Sequence, residues 1–277
     1  MASSGVSKLF NAPSGAVADV RIINCTSGIT RLPASFLLHP PLQGMQYMPD
    51  IPTRSFLIES PTTGKKALFD LGVPPNFLDF SPFNQDQLRN PAWEIRSEKH
   101  VADILKENQI DPAWINSIVW SHRHFDHIGD PSTFPGSTEL VVGPGSKQTF
   151  YPGYPTIKDS PSRWANHCRF RFDRGRETRE INFDDGPPLQ IGQFKAMDFF
   201  GDVRTIVKAQ EADADDKVLF IYAHSKAVER YAELFPLKAN QWKRKGWKRK
   251  VLWDFVRDFK VAVDAQSGGS AFNAAGE

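Results

Sequence analysis

One stretch, "INSIVWSHRHFDHIGD" at 115–130, limits the folds open to this chain more than any other. A short apolar run leads directly into three histidines and two aspartates, although the 277-residue chain has only seven histidines. That pattern puts a polar cluster at the end of a strand, where a loop begins. His122 and His124 are two apart, so in extended backbone their side chains leave on the same side and converge on one point. Asp126 and His127 follow where the chain turns, and they address a second point close by. Imidazole together with carboxylate suits zinc, and also iron or manganese. The two cysteines, Cys25 and Cys168, lie in other sequence neighbourhoods, which argues against a purely structural zinc site and against a disulfide framework. At this composition the pattern His-x-His-x-Asp-His arises by chance in roughly three chains in ten thousand, so it reads as a metal site with open coordination.

The remainder of the chain supplies a scaffold for such a site. "VRIINC" at 20–25 reads as a strand, and "SFLIES" and "KALFDLG" flank the turn "PTTGK" as a hairpin, giving an early antiparallel sheet. Over 97–110, "SEKHVADILKENQI" places Val101, Ile104 and Leu105 on one helical stripe, with Ser97 as the expected N-cap. "STELVVG" and "KVLFIYAH" repeat the arrangement of a β-rich run ending in a turn or polar residue, the second of them at His224. Interleaved strands and helices predict a mixed α/β domain over 18–262, between a flexible N-terminus at 1–17 and a flexible tail at 263–277. Residues 151–190, rich in Pro, Arg, Asp and Gly, read as a long loop or lid.

Charge and hydropathy narrow the function classes. Thirty-four Lys plus Arg against thirty-two Asp plus Glu leave a net charge of +2, too balanced by itself to imply a polyanionic partner such as nucleic acid, and the expected partner is a small-molecule substrate. The run "QWKRKGWKRKVLWDF" at 241–255 reads as a solvated helix-turn-helix face with its tryptophans packed inward. No apolar stretch has the roughly 20 residues of a membrane span, and no secretory signal is read at the N-terminus, so the expected compartment is the cytoplasm.

"HRHFDH" resembles the His-x-His-x-Asp-His signature of the metallo-β-lactamase superfamily, and "DHIGD" continues it as in lactonase-like members. "ALFDLG", the helix before "INSIVWSH" and the downstream "KVLFIYAH" are similar to fungal lactonase-like hydrolases. The resemblance implies a four-layer αβ/βα sandwich with one or two zinc ions at one edge between two sheets. It implies His122 and His124 as ligands of a first metal, Asp126 and His127 of a second, and His224 as the last histidine ligand. Asp126 would also pass a proton to the leaving group, and Asp70 would support the site from behind. The implied reaction is hydrolysis of a small lactone, lactam or thioester in fungal secondary metabolism or detoxification.

The chain also departs from that pattern. Between His127 and His224 the only histidine is His167, in "RWANHCRF", which matches no ligand motif. After "QFKAMDFFGD" the sequence passes directly to a stretch similar to the end of the fold, as though a segment between about Asp202 and Val203 were missing, with a histidine and a bridging aspartate. Asp198, Asp202 and His167 are available as substitutes, and each reads as a surface residue. The alternative function is therefore a catalytically impaired remnant of the fold.

Overall fold

A computed structural model describes residues 18–40, 42–150, 176–185, 189–191, 194–196, 199–200, 219, 221, 223–252 and 254–266. Strands β1 (Asp19–Thr30), β2 (Ile51–Glu59), β3 (Lys66–Phe69), β4 (Glu94–Ser97), β5 (Ser117–Val119), β6 (Glu139–Val142) and β7 (Thr178–Glu180) form one sheet in the order β4-β1-β2-β3-β5-β6-β7. The predicted hairpin is present, with Glu59 opposite Lys66 and Phe56 opposite Phe69 across β2 and β3. The β4-β1-β2-β3 half is antiparallel, whereas β3, β5, β6 and β7 run parallel. A separate antiparallel pair joins β8 (Leu189–Ile191) to β9 (Phe194–Ala196). Half of "KVLFIYAH" falls outside the described residues, as do His167, Asp198, Asp202 and the junction after Asp202.

The helices are α1 (Ala34–Leu37), α2 (Pro82–Leu88), α3 (Val101–Glu107), α4 (Phe125–Ile128), α5 (Ser146–Phe150), α6 (Lys226–Tyr231), α7 (Trp247–Val251) and α8 (Asp254–Gln266). Because side chains alternate across a strand, β1 and β2 feed two different cores. Ile23 and Leu57 join Leu68, Ile118, Leu140 and the Ala102 and Leu105 side of α3 in one cluster. Their neighbours Ile22 and Phe56 point the other way, against Val228 of α6 and Trp247 of α7. The sheet is thus covered on both faces, and Trp242 and Trp247 pack inward as the sequence implies.

Three local readings change. The stripe Val101, Ile104 and Leu105 is buried as expected, but the helix begins four residues after Ser97. Ser97 ends β4 and donates its hydroxyl to the Val73 carbonyl at 2.6 Å, while extended His100 is the N-cap. Within 151–190, read as irregular, polar β7 adds a strand beside β6, fixed by Arg179 reaching Glu139 at 2.7 Å rather than by an apolar pattern. Helix α8 continues through Gln266, beyond the expected boundary at 262. Phe259, Ala262 and Val263 pack with Ala34 and Met45, and the Gln266 side chain accepts from the Gln46 and Tyr47 amides at 2.6 Å. Among the described residues, no helix is long and apolar enough to cross a membrane.

Candidate metal centre

The site is built where two strand ends meet. β3 leads into Asp70, whose amide donates to the Val119 carbonyl of β5 at 2.9 Å and whose backbone is left-handed at φ 61°. Aspartate tolerates that region better than most side chains. The next residues then clasp the loop after β5. The Leu71 amide donates to His127 O at 2.7 Å, and the Gly129 amide donates to Gly72 O at 3.0 Å. Gly129 sits at φ 51°, and a Cβ there would lie 2.2 Å from the Leu71 Cβ. The Trp120 indole seals the other side by donating to Ile128 O at 3.0 Å. The glycines of "LFDLG" and "DHIGD" therefore allow two backbone segments to touch directly beneath the histidines.

Donors and acceptors around the imidazoles fix their tautomers. Asp70 is buried, and its two oxygens accept from the Ser121 amide at 2.8 Å and the Ser121 hydroxyl at 2.7 Å. The same carboxylate faces His127 Nδ1 at 2.8 Å. A carboxylate only accepts, so His127 Nδ1 carries the proton. The Ser121 hydroxyl spends its hydrogen on Asp70 and therefore accepts from His122 Nδ1 at 3.0 Å. His224 Nδ1 faces the Pro52 carbonyl at 2.8 Å, another pure acceptor, and must donate as well. All three rings thus present an Nε2 lone pair when neutral.

Two of those lone pairs and one carboxylate oxygen crowd together. His127 Nε2 and His224 Nε2 are 3.2 Å apart, and Asp126 Oδ2 lies 3.6 Å from the first and 3.4 Å from the second. Three acceptors at such separations repel one another unless a cation lies among them. Ligands at about 2.0–2.2 Å from a tetrahedral zinc stand roughly 3.3–3.6 Å apart, so the donor set fits a zinc-sized ion. Asp126 and His127 are buried, whereas the His224 side chain is about one-third exposed at 36%, leaving an open side.

Charge acts in opposite senses on neighbouring rings. Burial, together with the nearby His127 and His124, pushes His122 down to about 4, so it is neutral at pH 7 with its Nε2 free. At His127 burial also works downward, but the Asp70 hydrogen bond and the Asp126 and Asp70 charges outweigh it, raising its pKa.

The structure brings Asp70, His122, His124, Asp126, His127 and His224 to one place, though not into one donor group. Asp126, His127 and His224 form the tight triad among the described residues. His122 stacks beside His127 with ring centroids 4.2 Å apart, and His124 stands edge-on to His122 at 4.4 Å. Asp70 lies behind His127, at 2.8 Å from its Nδ1. Sequence reasoning missed Ser121 and the Pro52 carbonyl. A serine between an apolar strand and the first histidine was the only available signal for the one. A backbone carbonyl 172 positions from its partner gives none.

The family model of the metallo-beta-lactamase superfamily matches residues 48–209, more than half of the chain. The protein therefore belongs to that superfamily, and its mixed α/β architecture is a metallo-β-lactamase-type fold. Gamma-lactamase FDB1 of Fusarium pseudograminearum (strain CS3096) is 39% identical over 193 residues, covering 68% of this chain and 45% of the relative. Cytochrome P450 monooxygenase mpaDE of Penicillium roqueforti (strain FM164) is 28% identical over 339 positions, covering 91% of this chain and 38% of the relative. A solved N-acyl homoserine lactone hydrolase with N-hexanoyl-L-homoserine at its catalytic metal centre covers 59% of each chain at 16% identity and a TM-score of 0.43. The chain spans about half the length, or less, of these curated relatives.

Proposed function

We propose that this protein is a metal-dependent hydrolase that opens a small lactone, lactam or thioester, with zinc as the preferred ion and iron or manganese as substitutes. The observation that carries the reading is the convergence of Asp126 Oδ2, His127 Nε2 and His224 Nε2, with both imidazole tautomers fixed from behind by Asp70 and Pro52. These three residues would hold the ion. When bound, it lowers the pKa of water from 15.7 toward about 7 and stabilises negative charge on a carbonyl oxygen.

The chain's own residues do the rest. Asp70 holds His127 through Nδ1 and Ser121 through its amide and hydroxyl, and Ser121 in turn meets His122 Nδ1, so the first and last histidines of the signature are oriented from one carboxylate. His122, neutral, lies against the His127 ring outside the triad. Asp126, adjacent to both Nε2 atoms of the triad, is placed to take a proton and return it to the leaving group. A lactam is favoured within this range because the relative FDB1 is named a gamma-lactamase. We assign the reaction to fungal secondary metabolism or detoxification, in the cytoplasm, on a small molecule rather than nucleic acid. The organisms of these relatives are fungi.

One observation favours a second reading, a catalytically impaired member of the fold. The mpaDE alignment spans 339 positions, more than the 277 residues of this chain, so that relative carries residues with no counterpart here. Among the described residues, His122 and His124 stay outside the tight triad of Asp126, His127 and His224.

The test is metal analysis of the purified protein after zinc supplementation, followed by a γ-lactam and lactone panel. One equivalent of zinc and ring opening, both lost in Asp126→Ala and His127→Ala, are expected. Stoichiometric zinc without turnover of any panel member selects the impaired reading, and the absence of zinc, iron or manganese overturns the hydrolase reading.

A further inference from the structure

His224 belongs to two structures at once. Its Nε2 completes the donor triad, and the same residue forms part of the wall of a cavity of about 540 Å³. That size lies within the range of small-molecule sites. The wall is assembled from segments remote in sequence: Leu37 of α1, Val228 of α6, Val251 of α7, Leu252, and Phe255 and Phe259 of α8. Three of these are open to solvent, Leu37 at 53%, Leu252 at 42% and Phe255 at 52%, so apolar surface stays wet unless something covers it. The acidic groups of the wall are already held. Asp50 pairs with Lys226 at 3.4 Å, and Asp258 pairs with Arg230 at 2.9 Å, so neither carboxylate is left for a cationic ligand.

We propose that this cavity binds an apolar alkyl or aryl substituent of the substrate, with the scissile ring of the same molecule at His224. The inference rests on the hydrolase reading for what is cleaved, but not for what the cavity holds. A molecule whose apolar arm fills the space between α6, α7 and α8 reaches the metal centre at the one residue common to both. The substrate is thus a lactone or lactam with a hydrophobic substituent, and Val251 and Phe255 determine its length and width.

The experiment uses the full chain with zinc and a series of γ-alkyl-γ-butyrolactones from methyl to octyl. It also uses fluorescence binding of N-phenyl-1-naphthylamine, which does not depend on turnover. Each added methylene is expected to raise kcat/KM about threefold to fourfold until the cavity is filled. The octyl lactone displaces the fluorescent probe. Val251→Trp, which fills the cavity, flattens the chain-length dependence and abolishes probe binding. Phe255→Ala, at an exposed position that spares the core, weakens the probe by roughly tenfold; circular dichroism verifies that both variants are folded. Equal kcat/KM across the series, with probe binding indifferent to both substitutions, overturns the inference and leaves the hydrolase reading intact. Lactone-competed probe binding that Val251→Trp removes, in a protein that opens no lactone or lactam, supports the cavity assignment and overturns the hydrolase reading instead.

Discussion

Asp70 accepts three hydrogen bonds with two oxygens, from the Ser121 amide, the Ser121 hydroxyl and His127 Nδ1, all at 2.7–2.8 Å. An asparagine has one acceptor oxygen and turns an NH2 group toward donors at the other corner. Asp70→Asn is therefore expected to weaken zinc binding by about 10- to 100-fold while the protein remains folded, as isothermal titration would show. Unchanged affinity would mean that the carboxylate does not orient His127. Gly129 is constrained by shape rather than charge. Its φ of 51° and the 2.2 Å approach of a Cβ to Leu71 predict that Gly129→Ala costs at least about 2 kcal/mol in urea unfolding. At this scale the sequence pointed to candidates where residue type carries the chemistry, and of these Asp126 and His127 meet His224 in one donor group. It was not legible where a backbone atom does the work, as with the Pro52 carbonyl behind His224.

Strands β1, β2 and β3 are joined on one face by a charge relay. Glu59 of β2 accepts from Arg21 of β1 at 3.0 Å and from Lys66 of β3 at 2.6 Å. Burial works to raise the Glu59 pKa, but the hydrogen bonds and charges of Lys66 and Arg21 prevail and hold it below the ordinary value of 4.5. The folded state thus binds this proton more weakly than the unfolded chain. The stabilisation is complete above the ordinary glutamate range and is lost as pH falls through the depressed value. Glu59→Gln is expected to cost up to about 1 kcal/mol at pH 7 and much less at pH 3, measured by chemical denaturation at both. An equal deficit at both pH values would remove the charge from the explanation. The β2–β3 hairpin was readable because the turn residues and the alternation agree. Ser97 misled because a capping residue also ends strands, and only the Val73 carbonyl, 24 positions earlier, decided between them.

Across the whole molecule, the centre draws Asp126 and His127 from α4, which follows β5, and His224 from 97 positions after His127. A ligand that binds only when these regions are together stabilises the folded state in proportion to the logarithm of its concentration. Zinc at 100 times its dissociation constant should add about 2.7 kcal/mol, raising the melting temperature by roughly 5–10 °C. His224→Ala should abolish the rise without large loss of the starting stability, because that side chain is partly exposed. A rise that persists in His224→Ala would place the ion on the His122 and His124 side instead.

By itself the sequence determined the family and the class of fold, and it singled out the residue types a metal site needs. A strand ending in His-x-His-x-Asp-His, a hairpin and an amphipathic helix are local patterns, written in residue type and spacing within a few turns of chain. Tertiary structure decided which donors meet, which nitrogen of each ring is free, and what lies next to His224. Those properties depend on bringing together residues as far apart in sequence as Leu37 and Phe259, which line one cavity, and Pro52 and His224, which share a hydrogen bond.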